Sequence, residues 1–116
     1  MIRLIRRLGT AALLVVAAAP AIAAECAPPG PAPVMPQGAT FSKNEMAAGK
    51  VSHDKYVDIV QAFKECQQKR IASAPKGTKP ELLKSWRDSI ATADDTITAV
   101  DFIFQSQMWS YEARAR

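Results

Sequence analysis

Between Leu83 and Tyr111 the apolar positions are Leu83, Trp86, Ile90, Ala93, Ile97, Val100, Phe104, Met108 and Tyr111. Up to Phe104 the steps alternate between three and four. That spacing holds one face of a helix against a partner, as in a coiled coil. It predicts a helix over about 79–113, of which the patterned part is about 45 Å long. A stripe of that length needs a covering surface, and the chain before it must provide one.

The preceding stretch has its own stripe. At 100° per residue, Met46, His53, Tyr56, Val57, Val60, Phe63 and Ile71 share a face, which predicts a helix over about 43–73. Ser42 and Glu45 have the spacing of a capping box at its start. Ile59 and Cys66 lie on the edge of the face beside Ala48, Ser52 and Ala62, a shallow flank suited to carrying an extended strand. Gly49 and Lys50-Val51-Ser52 weaken the helix and leave room for a kink or restart at Ser52. Ala74-Pro75-Lys76-Gly77 ends it. Thr78 and Glu81 repeat the capping-box spacing, and Pro80 is tolerated in a first turn. So short a connection makes the helices antiparallel. The expected fold is all-α, an antiparallel two-helix hairpin over 42–116.

The N-terminal residues behave differently. Residues 24–41 contain Pro28, Pro29, Pro31, Pro33 and Pro36, a density that excludes helix and favours an extended arm. Residues 1–23 read as an export signal: Arg3, Arg6 and Arg7, an apolar run from Leu8 to Ala19, and small residues before a cleavage point at Ala24. That run is too short to span a bilayer, so no transmembrane segment is expected after cleavage. The implied address is periplasmic or secreted.

Removing the leader also changes the electrostatics. The chain has fifteen basic and eleven acidic residues. Three of the basic ones lie in the leader, leaving twelve against eleven. A nearly neutral chain whose charges alternate along its helices has no nucleic-acid footprint.

Cys26 and Cys66 are the two cysteines. In an oxidising compartment they are expected to form a disulfide. Extended polyproline spans about 3.1 Å per residue, enough for the arm to fold back along the first helix and reach Cys66.

Motifs for catalysis are missing. There is no Cys-x-x-Cys, no Gly-rich phosphate loop and no Gly-x-Ser-x-Gly. No enzyme activity and no cofactor are expected. His53, the single histidine, falls on an apolar face opposite Asp101 when the turn is centred near Lys76-Gly77. A buried His53–Asp101 pair is the plain reading, since buried polar groups find partners. The sharper alternative is a periplasmic copper or small-ligand protein in which His53, Met46 and Met108 bind a soft metal. Two helical turns separate the methionines from the histidine, which weighs against a shared ion.

Phe102, Ile103 and Trp109 lie off the seam. Either the arm or Tyr56 covers them, or they form a surface for a periplasmic partner or a second copy. The simplest homodimer would be a four-helix bundle.

With Cys26, Pro33-x-x-Pro36-x-Gly38, Glu45-Met46, Tyr56 and Cys66 in place, residues 26–66 resemble a group of small exported bacterial helical proteins of uncharacterised role. The resemblance implies an exported helical protein and assigns no catalytic residue.

Overall fold

The computed structural model describes residues 25–115, so the expected leader lies outside the described residues. Two helices make up the body, α1 (Lys43–Ala72) and α2 (Pro80–Ala115), with no strand among the described residues. They pack against each other as an antiparallel hairpin. The arm before α1 is tied back by a Cys26–Cys66 disulfide.

Both helix starts follow from local chemistry, but only one as expected. At α1 the Ser42 hydroxyl accepts from the Glu45 backbone N–H, and the Glu45 carboxylate accepts from the Ser42 N–H. At α2 the second capping box does not form. Pro80 is the first helical residue, and the N–H groups of Leu82 and Leu83 donate to the carbonyl of Lys79. Thr78 therefore stands one residue too early to cap, and its hydroxyl donates to the Pro75 carbonyl instead. Gly77, at φ 88°, makes the left-handed step in the turn that a side chain would resist.

The core is a narrow seam. Tyr56 and Val60 from α1 meet Ala93 and Val100 from α2, with Val57, Phe63 and Ile97 packed against them. Val60 is fully buried. Burying a side chain of this kind contributes roughly 1.5–3 kcal/mol. Leu83, Trp86, Ile90, Ile97, Met108 and Tyr111 remain only half-buried. Two helices alone cannot enclose a stripe this wide.

The arm supplies the third wall, and it lies elsewhere than the expected flank. Ala48, Ser52, Ile59 and Ala62 stay exposed. From Cys66 the arm instead runs into the groove between the helices, where Met35 joins the core. The Tyr56 hydroxyl donates to the Gly30 carbonyl at 2.9 Å. Pro36 is fully buried against Gly49, where a Cβ would lie 2.6 Å from the proline Cγ. Gly49 is thus a seat for the arm rather than a break, and α1 runs through Ser52 without a restart. Gly38 approaches α2 more closely still: a Cβ there would lie 1.8 Å from the Gln107 backbone oxygen. The Gly38 N–H donates to the Gln107 side chain at 2.8 Å, and Arg114 donates to the carbonyls of Gly38 and Phe41. The prolines forbid helix, and the glycines let the extended backbone touch both helices.

Candidate functional site

On the side of the hairpin away from the arm, charged residues bridge the helices. Lys64 lies 2.6 Å from Asp94; nearer the turn, on the Phe63 side of α1 and beyond the arm's tie at Cys66, the Arg70 guanidinium sits 4.8 Å from the Trp86 ring centroid. His53 is the centre of the second bridge on the side away from the arm. Its Nε2 lies 2.7 Å from Asp101 Oδ1, so the sequence register places the pair correctly.

The environment of that pair differs from expectation. The Asp101 side chain keeps 54% of its exposure, so this is not a buried polar layer. Position 101 is 100° round α2 from buried Val100, which carries it to the rim of the seam. His53 is buried, its ring stacked on Phe104 at 4.6 Å between centroids.

A second partner was not anticipated from the sequence: His53 Nδ1 lies 2.9 Å from Asp54 Oδ1. Residues adjacent on a helix diverge by 100°, so nothing in the spacing marked Asp54 as a partner. Asp54 also accepts from Lys50 at 2.6 Å, one helical turn earlier. Lys50 first, and then His53, hold the Asp54 carboxyl below the usual carboxylate range. The result is a chain, Lys50–Asp54–His53–Asp101, that crosses from α1 to α2. A neutral imidazole has one N–H and donates to one carboxylate; the imidazolium donates to both.

This geometry bears on metal binding. Both ring nitrogens of His53 face carboxylate oxygens, and Met46 is buried about 10 Å along the helix, at 1.5 Å per residue. Met108 is half-buried. His53, Met46 and Met108 are not drawn together as a ligand set. Among the described residues, no group of three His, Cys, Asp or Glu side chains could hold a metal ion.

On the arm side an open cleft of about 260 Å³ is lined by Pro29, Phe63, Ser89, Thr92, Ala93 and Thr96. Two of its hydroxyls are turned to their own helix: Ser89 donates to the Trp86 carbonyl and Thr96 to that of Thr92. Little polar chemistry is left to orient a small ligand there.

The off-seam residues define the remaining candidate. Phe102 is 68% exposed and Trp109 59%, and they lie seven residues apart on the outer face of α2. Neither the arm nor Tyr56 covers them. Ile103 is also exposed but points to the arm side, about 100° round from Phe102. The three therefore do not form one surface: Phe102 and Trp109 share a stripe, and Ile103 is separate. No helix among the described residues is long and apolar enough to cross a membrane.

Comparison with known proteins adds no relationship: no family model, curated protein or solved structure matches the chain.

Proposed function

We propose that this protein is exported to the periplasm or beyond the cell and works without catalysis, by contact of the outer face of α2 with another protein. The observation that carries the reading is the exposure of Phe102 and Trp109 on one stripe of a helix whose opposite face is already occupied. Large aromatic side chains left in water on a regular surface mark interaction sites. The disulfide supports an oxidising address, because such bonds persist outside the cytoplasm. The same address agrees with the leader-like first 23 residues. The one histidine has both ring nitrogens against carboxylates, which supports a structural task for it.

The test is chemical cross-linking in the exporting host with the wild-type chain and the Phe102→Ser/Trp109→Ser double variant, helix content being checked by circular dichroism. The double variant should keep its fold and lose its cross-linked species. Retention of every species would remove the outer face of α2 from the function. Mass spectrometry of the exported protein should find an N-terminus at Ala24.

A further inference from the structure

We infer that the partner of the outer face is a second copy of this chain, paired antiparallel through α2. The inference rests on the protein-contact reading and names its occupant.

The stripe that holds Phe102 and Trp109 is longer than those two residues. Ala91, Asp95, Thr98, Phe102, Gln105 and Trp109 follow one another in steps of four, three, four, three and four, and all six are exposed. At 100° per residue they fall within about 40° of the direction opposite Val100. α2 thus carries two heptad seams on opposite faces, one filled by α1 and the arm, the other open.

The open seam is uneven along its length. Its N-terminal part is small, with Ala91 and Thr98, and its C-terminal part is large, with Phe102 and Trp109. A parallel partner would set large against large and small against small. An antiparallel copy, turned about the level of Val100, matches them. Phe102 then lies across from Thr98 of the second copy, whose methyl gives the ring an apolar contact, and Trp109 lies across from Ala91. Asp95 meets Gln105, whose amide can donate to the carboxylate. At one rim Arg87 of each copy comes level with Glu112 of the other, opposite charges on the same side of the interface. In antiparallel coiled coils the interface layers join the two kinds of seam position in this way, and small side chains opposite aromatics let the backbones approach closely.

The architecture that results is a single layer, α1–α2–α2–α1. A closed four-helix bundle does not follow, because the open stripe points directly away from α1. The contact spans about 27 Å of helix at 1.5 Å per residue, toward the small end of stable interfaces. The dimer is therefore reversible.

Sedimentation velocity over a concentration series of the full exported chain tests this, together with a benzoylphenylalanine photocross-linker at position 109 in mixed light and heavy nitrogen copies. The expected results are a concentration-dependent dimer and inter-copy cross-links from position 109 to residues around Ala91. Thr98→Arg, at an exposed helix position where arginine is the better helix former, should keep the helix content. It should weaken the dimer by about tenfold or more, the scale of a lost aromatic anchor. A monomer at every concentration, a dimer indifferent to Thr98→Arg, or cross-links from 109 to 109 would each overturn the pairing. If the chain stays monomeric while Phe102→Ser/Trp109→Ser still abolishes a cross-link to a different protein in the host, self-pairing fails and the broader contact reading stands. If neither depends on the stripe, both fail.

Discussion

The two open sides of the hairpin groove are closed by opposite means. On one side an extended arm lies in the groove and touches both helices through backbone: Pro36 on Gly49, Gly38 on Gln107, the Gly30 carbonyl under Tyr56. On the other side no described residue outside the helices covers the groove, and the helices are joined by Lys64–Asp94 and His53–Asp101. The first side is a fit of shapes with almost no tolerance. The second is a set of long side chains in partial contact with water, where ion pairs are typically worth about 1 kcal/mol or less. Close approach should therefore hold the fold, while charge sets register at little energetic gain.

The largest effect should come from the covalent tie. Cys26→Ala/Cys66→Ala removes a cross-link between residues 40 apart, worth about 4 kcal/mol on the chain-entropy model. Denaturant unfolding should show that loss. Limited proteolysis should show cleavage confined to the first residues of the arm, because Tyr56, Gly49, Gln107 and Arg114 still hold the rest. Cleavage throughout 25–41 would mean that the disulfide, and not the shape of the groove, keeps the arm in place.

Next in size is Gly38→Ala. Its new Cβ meets the Gln107 backbone, which cannot rotate away, so the arm must lift from α2 and lose its bonds to Gln107 and Arg114. Overpacking of this sort costs roughly 1–3 kcal/mol. Gly49→Ala should cost somewhat less, as it meets a proline ring that can shift with the arm. Thermal melting that leaves both variants at the wild-type midpoint would deny the close approach.

These arm-side features are the part of the molecule that the sequence disclosed least. The hairpin itself was readable, because a three–four alternation and a matching 100° stripe each encode a face, and Pro75 with Gly77 marks the turn. Cys26–Cys66 followed from compartment and cysteine count. The position of the arm did not follow. An extended proline-rich segment has no periodicity to show which surface it contacts, and Gly49 reads as a weak point in a helix until Pro36 is seen against it. At the candidate site the register gave His53–Asp101, which depends only on distance from the turn. It could not give the exposure of Asp101 or the bond to Asp54, since both depend on where each side chain leaves the helix rim.

On the charged side the effects should be smaller. A double-mutant cycle of Lys64→Ala and Asp94→Ala should return a coupling of about 1 kcal/mol or less. The cycle of His53→Gln and Asp101→Asn should exceed it, since His53 is buried and stacked and each single variant strands one partner. A larger coupling for Lys64–Asp94 would invert the ranking and make exposed charge, rather than the buried ring, the stronger link between the helices.

The smallest effect, and the one that separates the two sides most cleanly, is acid sensitivity. Asp54 is bonded first to Lys50 and then to His53, and both hold its carboxyl below the ordinary value of 3.8. A carboxyl whose folded-state pKa is depressed contributes stability that is complete above the unfolded value. The contribution fades as pH falls through the folded one. The window therefore lies below about pH 4, and the contribution is slight because Asp54 is open to solvent. Asp54→Asn should make the fall in urea midpoint between pH 4 and pH 2 shallower than in the wild type. At the arm contacts Gly30, Pro36, Gly38 and Gly49 carry no ionisable side chain. Gly49→Ala should accordingly lower the urea midpoint by the same amount at pH 2 as at pH 6. A Gly49→Ala loss that grew in acid, or an Asp54→Asn variant with the wild-type slope, would show that the division between a shape-held and a charge-held side is drawn in the wrong place.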